Sequence, residues 1–187
     1  MTSPWPLLRD WLPANEDPAR PLMTLITATP NGIPDGRAVL LSEYDESGFY
    51  FHTDSRSRKI AAIDANPHVA LVIVLVEEHH QITVQGVAEK AGAEEELRAY
   101  ECRSDYLRTL AWLNTQEFAA MPEGERVAVW AAFVASHPEL DPPDTWTGRR
   151  VRPTRITLWT GRGDTCSRRE EFTLAPDGTW SAGVLAG

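Results

Sequence analysis

Three basic residues in an otherwise acidic chain have the spacing of an anion-binding site. Arg37 stands at the mouth of one predicted strand, while Arg58 and Lys59 open a predicted helix after the next strand, with Ser57 at its N-cap. A phosphate monoester needs several convergent donors, preferably bidentate Arg, and the free amides of a helix N-terminus favour an anion at the same place. A bound organic phosphate is one interpretation of these residues. The other is that Ser57, Arg58 and Lys59 merely open a solvated helix.

The composition limits the class of protein. With 187 residues and 42% apolar content, we expect one domain over 1–187. A formal net charge of -9 argues against a nucleic-acid partner, which surplus Lys and Arg would bind. Cys102 and Cys166 are far apart and form no CxxC pair, so neither a disulfide nor a zinc site is expected. His79 and His80 have no third ligand at suitable spacing, so we predict no metal.

The chain also lacks the patterns of secretion and membrane insertion. Its first residues have neither a basic n-region nor an apolar h-region. The longest apolar run, 69–76, is far shorter than the roughly 20 residues that span a bilayer. We therefore expect a cytoplasmic protein with no membrane partner.

Hydrophobic periodicity predicts a mainly β chain with flanking helices. Residues 1–20 contain a short helix at 6–12 and a lead-in. Alternating and β-branched runs, with turn signals at Asn31-Gly32 and between Asp45 and Gly48, predict antiparallel strands at 22–29, 37–44, 48–53, 69–76 and 81–88. Their regular spacing favours a closed or nearly closed barrel.

The pattern changes after Lys90. Region 92–137 predicts helices at 93–109 and 126–135 packed outside the barrel, and the Glu94-Glu95-Glu96 run predicts a solvated helix face. Prolines then break the chain. Strand character returns in 155–187, at 155–160 and 171–174, with Asp177-Gly178 as a turn.

Five short pieces share one collinear frame, from about Trp11 to Trp180. Their order and spacing resemble the flavin site of the pyridoxamine 5'-phosphate oxidase family: Arg37-Ala38-Val39-Leu40-Leu41, Ser57-Arg58-Lys59, Gln81, Trp159 and Arg169. The resemblance implies a six-stranded antiparallel split β-barrel that binds flavin mononucleotide (FMN). It also implies a homodimer, because the family builds each flavin site from two chains.

The resemblance assigns each cofactor residue a place. Positions matching the phosphate and ribityl contacts are Arg37, Ala38, Val39, Leu40, Ser57, Arg58 and Lys59. Those matching the isoalloxazine contacts are Thr53, Gln81, Trp159 and Arg169, and Gln116 matches a residue given by the partner subunit. Glu117 departs from a family serine near the phosphate, where a carboxylate would oppose the dianion. By itself, Trp159 would more often be a core aromatic, and Gln81 would more often be an edge-strand polar residue that faces water.

The positions that match the family's substrate contacts are mostly changed. They are Ser42 in place of a lysine, Ala99, Arg103 and Leu107 in place of a tyrosine, an arginine and a serine, and Thr165 and Ser167 in place of an arginine and a histidine. Of the phosphate anchors, only Arg103 is kept. Since charge-assisted bonds contribute roughly 1.5–3 kcal/mol each, we expect poor binding of pyridoxamine phosphate.

The resemblance therefore implies an FMN-dependent oxidoreductase. A small heterocyclic or amine substrate would give up hydride to flavin N5, with oxygen as acceptor, and the phenazine-forming branch of the superfamily is one precedent. No residue is an evident general base, so the catalytic residues stay unassigned, and Cys166 lacks a histidine base. Three alternatives stay open: a genuine pyridoxine/pyridoxamine 5'-phosphate oxidase, a non-catalytic flavin- or haem-binding barrel, and a deazaflavin-using reductase.

Overall fold

The computed structural model describes residues 2–187. Its strands form one antiparallel sheet: β1 (Leu22–Ala28), β2 (Pro34–Leu40), β3 (Glu43–Asp45), β4 (Gly48–Asp54), β5 (His68–Leu75), β6 (His80–Lys90), β7 (Trp146–Thr160), β8 (Arg168–Leu174) and β9 (Trp180–Ala186). Its helices are α1 (Trp5–Trp11), α2 (Arg58–Ala65), α3 (Ala93–Glu101), α4 (Asp105–Leu113), α5 (Gln116–Ala120) and α6 (Glu123–Ser136). None of these helices is long and apolar enough to cross a membrane.

The sheet curls because β7 pairs with two different strands along one of its edges. The strand order is β2-β1-β5-β6-β7-β4-β3, and β8 and β9 continue the sheet from β7. On the edge away from β6, residues 146–151 of β7 pair with β4 and residues 155–160 pair with β8. The predicted split-barrel fold with flanking helices is confirmed. Across residues 2–187 the sheet has nine strands rather than six, because β3 and the β8–β9 hairpin extend its edges.

The turns explain why these strands pair as they do. Gly32 has a φ of 80° in the predicted β1–β2 hairpin, and Gly178 has a φ of 85° between β8 and β9. The predicted strand 37–44 is divided, since the Leu41 N–H bonds to Pro21 while the Ser42 N–H bonds to Tyr50. The chain therefore leaves β1 at this point and joins β4.

Strand β7 begins nine residues before the predicted 155–160. The early part pairs with β4, and the register shifts between Gln85 and Gly86, opposite Pro153. Proline has no N–H for the ladder, so an irregularity at this position is expected.

The helical region differs from the prediction in two ways. Residues 93–109 form two helices, because Ser104 accepts a hydrogen bond from the Leu107 N–H and begins α4. Helix α3 buries Ala99 and Tyr100, but α6 has no buried residue. Helix α6 instead contacts α4 and α5 through aromatic pairs around Trp130, so it does not pack on the barrel as predicted.

Alternation along the strands divides the sheet into two faces. One face forms the core, where Leu25, Leu71, Ile73, Ile82, Val84 and Ile156 are fully buried or nearly so. The opposite face, here called the outer sheet face, carries Leu22, Thr24, Val72, Val74 and Thr83. Leu22 and Val74 are 66% and 55% exposed, so this face presents apolar side chains to solvent.

Candidate functional site

Arg37, Arg58 and Lys59, here called the cationic cluster, lie where β2 approaches the start of α2. The Arg37 guanidinium is 2.5 Å from an Asp35 carboxylate oxygen and donates to Thr27 Oγ1 at 2.9 Å. Arg58 is largely exposed, and its guanidinium is 3.8 Å from the same carboxylate. Asp35 thus contacts both Arg37 and Arg58, and with Lys59 added the three basic residues outnumber this acid, so the cluster carries surplus positive charge.

Lys59 is the more enclosed cation of the cluster. Its Nζ donates to Thr53 Oγ1 at 3.0 Å. Burial first, and then the charge of Arg37, lowers the pKa of Lys59. No carboxylate among residues 2–187 lies within ion-pair distance of Lys59. An anion bound here would offset both the burial of the Lys59 charge and its repulsion by Arg37.

Ser57 occupies the predicted N-cap position of α2, but its hydroxyl makes no capping bond. Its Oγ is buried and has no hydrogen-bond partner among the described residues. A buried hydroxyl without a partner costs free energy, so this atom is suited to a ligand group.

A cavity of about 140 Å³ opens beside this serine, between α2, β4, α4 and the start of β7. Its polar lining comes from His52, Thr53, Asp54, Ser57, Lys59, Arg103 and Asn114. The Arg103 guanidinium carbon is 4.4 Å from the centre of the Trp146 ring, a cation–π contact. Burial lowers the pKa of Arg103 to about 10. Two enclosed cations thus face one small cavity.

Gln81, Trp159 and Arg169, here called the polar row, are direct neighbours across three strands. Gln81 pairs with Trp159 between β6 and β7, and Trp159 pairs with Arg169 between β7 and β8. The Gln81 amide donates to Thr83 Oγ1 at 3.2 Å. A Cβ at Gly161 would lie 2.8 Å from the Trp159 ring, so the glycine leaves room for the indole.

The polar row and the cationic cluster lie on opposite faces of the sheet. Val74 pairs with Gln81, which places the row on the outer sheet face. Arg37 pairs with the buried Leu25, on the other face. Arg37 on β2 and Gln81 on β6 are also three strand spacings apart, about 14 Å. One chain therefore does not bring the two groups together.

The predicted partner-donated residue lies on the helical region. Gln116 is the first residue of α5 and is exposed, and Thr115 caps that helix by accepting from the Phe118 N–H. The pKa of the Glu117 carboxyl is lowered by its own backbone N–H and the Thr115 hydroxyl, with a smaller attraction from Arg56. Glu117 thus has local partners and is exposed.

The predicted substrate residues fall into separate places. Arg103 lines the small cavity, while Ser42 Oγ is hydrogen bonded to His52 Nδ1 at 2.9 Å. Thr165 and Ser167 line a different cavity of about 810 Å³ between α1 and the C-terminal hairpin, together with the exposed thiol of Cys166. The assignment of all four residues to substrate stays a prediction.

Two acidic residues contradict the sequence reading of 94–96 as a solvated face. Glu94 is exposed, but the Glu95 side chain is 12% exposed and lies 3.0 Å from His52 Nε2. Glu96 accepts from the Gly148 N–H at 2.7 Å. The first turn of α3 therefore contacts β4 and β7 through carboxylates, which the run of like charges did not reveal. The sequence signal that could have revealed this polar contact is His52, a histidine within the apolar run of β4.

The donors present fit a flavin phosphate and ring. The cationic cluster and the unpartnered Ser57 hydroxyl have the chemistry that a phosphate monoester requires. The polar row offers an amide, an indole and a guanidinium, which are the groups expected around a flavin ring. Within residues 2–187, no group of three or more His, Cys, Asp or Glu side chains is arranged to hold a metal ion.

The fold and the site together place this chain in the class of split-barrel proteins. The chain belongs to the pyridoxamine 5'-phosphate oxidase family, because the sequence model of the family described as "Pyridoxamine 5'-phosphate oxidase" matches residues 10–137. A pyridoxine/pyridoxamine 5'-phosphate oxidase of Crocosphaera subtropica is 35% identical over 88% of this chain and 78% of its own length. Its counterpart from Ralstonia nicotianae is 36% identical, with the same two coverages.

Solved structures agree on the fold. PhzG from Burkholderia lata, in complex with tetrahydrophenazine-1-carboxylic acid, has a TM-score of 0.84 and 22% identity, covering 100% of this chain and 94% of its own. A pyridoxamine 5'-phosphate oxidase-related, FMN binding protein from Nostoc punctiforme has a TM-score of 0.74 and 18% identity, covering 89% and 88%. At these identities the likeness shows the fold alone.

Proposed function

We propose that the protein is an FMN-dependent oxidoreductase that acts as a homodimer on a small heterocyclic or amine substrate. Bound FMN would supply hydride acceptance at N5, with oxygen as the later electron acceptor. The observation that carries the proposal is that the chain holds both a cationic cluster, in which Lys59 is partly buried, and a polar row that suits a flavin ring.

The cationic cluster is proposed to hold the FMN phosphate. Arg37 and Lys59 would donate to its oxygens, and the Ser57 hydroxyl would gain the partner that it lacks. Asp35 would then give up part of its contact with Arg37. Backbone groups of Ala38, Val39 and Leu40 on the edge strand β2 are assigned to the ribityl chain by resemblance, as is Thr53 to the ring.

The polar row is proposed to line the flavin ring. A reduced flavin carries extra negative charge around N1 and the C2 carbonyl, where the Arg169 guanidinium and the Gln81 amide would donate. The Trp159 indole would bound the ring, and the absence of a side chain at Gly161 leaves space for this indole.

A second copy of the chain would join the two halves of the site. The outer sheet face exposes Leu22 and Val74 beside the polar row, so it offers an apolar surface for a partner. The cationic cluster of one subunit and the polar row of the other would then contact one flavin, and Gln116 would reach the partner's cofactor. This arrangement would account for the separation of the cationic cluster and the polar row within one chain.

The substrate is proposed to differ from pyridoxamine phosphate. Of the phosphate anchors expected from the resemblance, only Arg103 faces the small cavity as a cation, while Ser42 is occupied by His52. Remote binding energy normally helps to position the reacting bond, so both affinity and rate should suffer. A carboxylated heterocycle, as in the phenazine-forming branch, is compatible with one guanidinium.

A genuine pyridoxine/pyridoxamine 5'-phosphate oxidase is the second candidate. Identities above 30% to curated enzymes of that name over most of the chain favour it. Lys59 lines the same small cavity as Arg103 and would be a second cation if FMN left it free. The two candidates share the cofactor and differ in turnover of the vitamin phosphates.

The cofactor is tested by the visible spectrum of purified protein. We expect an oxidised flavin spectrum, and release of FMN on denaturation would show that it is not covalently bound. Colourless protein that also fails to bind added FMN would remove the proposal. A Soret band would favour a haem-binding barrel, and selective binding of a deazaflavin would favour the reductase alternative.

The substrate is tested with FMN-loaded protein. We expect slow or undetectable oxidation of pyridoxine and pyridoxamine phosphates; a kcat/KM of roughly 10⁴ M⁻¹s⁻¹ or above would establish the second candidate. Anaerobic bleaching by fused aromatic amines, dihydro-heterocycles or reduced nicotinamide would then identify the substrate class. Bleaching by none of them would favour a non-catalytic flavin-binding barrel.

A further inference from the structure

A serine, a histidine and a carboxylate form a continuous chain beside the small cavity. Ser42 Oγ is 2.9 Å from His52 Nδ1, and His52 Nε2 is 3.0 Å from Glu95 Oε1. His52 also lines the cavity that Lys59 and Arg103 face. Ser42 itself is half-buried.

The histidine is fixed from several sides. Its side chain is fully buried, and its ring stacks on Trp146 with centroids 5.1 Å apart and planes 10° from parallel. A Cβ at Gly148 would lie 2.7 Å from His52 Nε2, so only glycine leaves room for the imidazole there. The plane of the ring is therefore fixed between Trp146 and Gly148.

The carboxylate is held in place by its helix. Glu95 lies in the first turn of α3, where the helix dipole favours negative charge. The next residue ties that turn to β7, because Glu96 accepts from the Gly148 N–H and from Thr147 Oγ1 at 3.1 Å. Within residues 2–187, neither Glu95 oxygen has an aligned hydrogen bond, and the same is true of His52 Nε2; the two residues meet as a close charge contact at 3.0 Å. The imidazole is thus the polar group that this buried carboxylate faces.

These contacts are compatible with one tautomer of a neutral imidazole, in which Nε2 carries the proton beside Glu95. An ionised carboxylate only accepts, so the proton of a neutral imidazole belongs on Nε2, facing Glu95. Nδ1 is then an acceptor and takes the hydrogen bond of the Ser42 O–H. A carboxylate that orients a histidine so that its other nitrogen can draw a proton from a serine is the arrangement of catalytic triads, here with the two nitrogens exchanged.

We propose that Ser42, His52 and Glu95 form a proton-accepting relay that makes Ser42 Oγ the basic and nucleophilic atom of the active site. Ser42 would be the catalytic residue, and His52 and Glu95 would position and activate it. This use of the relay rests on the proposed flavin function.

The relay would serve a substrate whose oxidised carbon carries an N–H or O–H group. When that carbon loses its hydride, the C–N or C–O bond becomes double and the N–H or O–H proton must leave. Ser42 Oγ would take that proton as its own passes to His52 Nδ1, and the resulting imidazolium would face the Glu95 carboxylate. Electrons and protons balance, because hydride and proton leave on different acceptors.

The relay is tested first with p-nitrophenyl acetate, which needs no flavin. Ser42 Oγ would bond to the acetyl carbon, nitrophenolate would leave, and the serine proton would pass to His52. We expect up to one equivalent of nitrophenolate per chain and an acetylated Ser42 in the peptide mass spectrum. S42A should lose this reaction, while S47A, which removes an exposed serine, should keep it.

Two further variants separate the relay from a merely exposed serine. E95Q should slow acetylation roughly 100-fold, since the amide no longer enforces the tautomer. H52F keeps a ring against Trp146 and should slow it comparably. The proposal would be overturned if the unmodified chain were acetylated no faster than S42A. It would also be overturned if E95Q were acetylated as fast as the unmodified chain.

A second measurement does not depend on the variants folding. Imidazole ¹⁵N shifts of histidine-labelled protein at neutral pH should show His52 protonated on Nε2 and bare on Nδ1. A proton on Nδ1, in either the other tautomer or an imidazolium, would overturn the relay. If flavin never binds but Ser42 is acetylated, the relay stands and the flavin function fails; if flavin binds and Ser42 is inert, the reverse holds.

Discussion

The cationic cluster and the polar row differ in how complete each is within one chain. Lys59 is partly buried and donates a hydrogen bond to Thr53, and it faces a cavity between two helices and two strands. Trp159 and Arg169 lie on an open sheet surface beside the exposed Val74. One region is preorganised by folding, and the other needs a covering surface.

The difference shows two ways of preparing a charged ligand site. Burial on folding lowers the pKa of Lys59, so part of the cost of desolvating this cation is met before an anion binds. The Gln81 amide of the polar row is already bonded to Thr83, and Arg169 is exposed on the sheet surface. The contribution of the polar row depends on water being excluded by another subunit.

The largest effect is expected from a charge on the outer sheet face. Val74→Glu would bury an unpaired carboxylate in both halves of the proposed dimer, which should weaken association by at least about 4 kcal/mol, or 10³-fold. Sedimentation across a concentration series measures this change. Ile33→Glu, at an equally exposed hairpin position, is the control. A V74E chain that still sediments as the parent dimer would place the interface elsewhere.

A smaller loss is expected from the enclosed cation. Lys59→Met keeps the length of the side chain and removes one charge-assisted bond to phosphate, worth about 1.5–3 kcal/mol or roughly 10- to 150-fold in the FMN Kd. Fluorescence titration of flavin-free protein measures the Kd. Lys90→Met changes an exposed lysine at the end of β6 and should have no effect. Equal Kd values for both variants would contradict the assignment of the phosphate.

Packing around the small cavity gives a third contrast. Gly148→Ala would place a Cβ 2.8 Å from Ala91 Cβ as well as against His52, so overpacking should lower the free energy of unfolding by about 1–3 kcal/mol. Gly183→Ala, on the outer sheet face, meets no atom within 4 Å and should be tolerated. Urea denaturation compares the two. Similar losses in both variants would show that the closed region is no more tightly packed than the open one.

The smallest effect is expected from the residue proposed to cross the interface. Gln116→Ala should weaken FMN binding by about 1 kcal/mol, roughly fivefold, without changing unfolding, because Gln116 is exposed and only one neutral hydrogen bond is lost. Titration and thermal denaturation measure the two quantities. Glu117→Gln removes a negative charge next to it and should not weaken binding. If E117Q weakens binding as much as Q116A, the effect belongs to α5 as a whole.

Local patterns carried much of the fold and half of the site. Asn31-Gly32 and Asp177-Gly178 predicted hairpins because only glycine readily adopts the positive φ seen at Gly32 and Gly178. Alternation predicted the strands, and Ser57 predicted where α2 begins. Arg58 and Lys59 were placed by the same kind of local signal, because they directly follow the N-cap Ser57, whereas Arg37 comes from the β1–β2 hairpin much earlier in the chain.

The tertiary structure decided what those patterns could not contain. The direct pairing of Gln81, Trp159 and Arg169 depends on β6, β7 and β8 meeting in one register. The contact of His52 with Glu95 depends on α3 docking against β7 through Glu96. Helix and strand periodicities describe a residue's neighbours a few positions away, whereas these contacts join residues tens of positions apart. Only packing of the whole core brings them together.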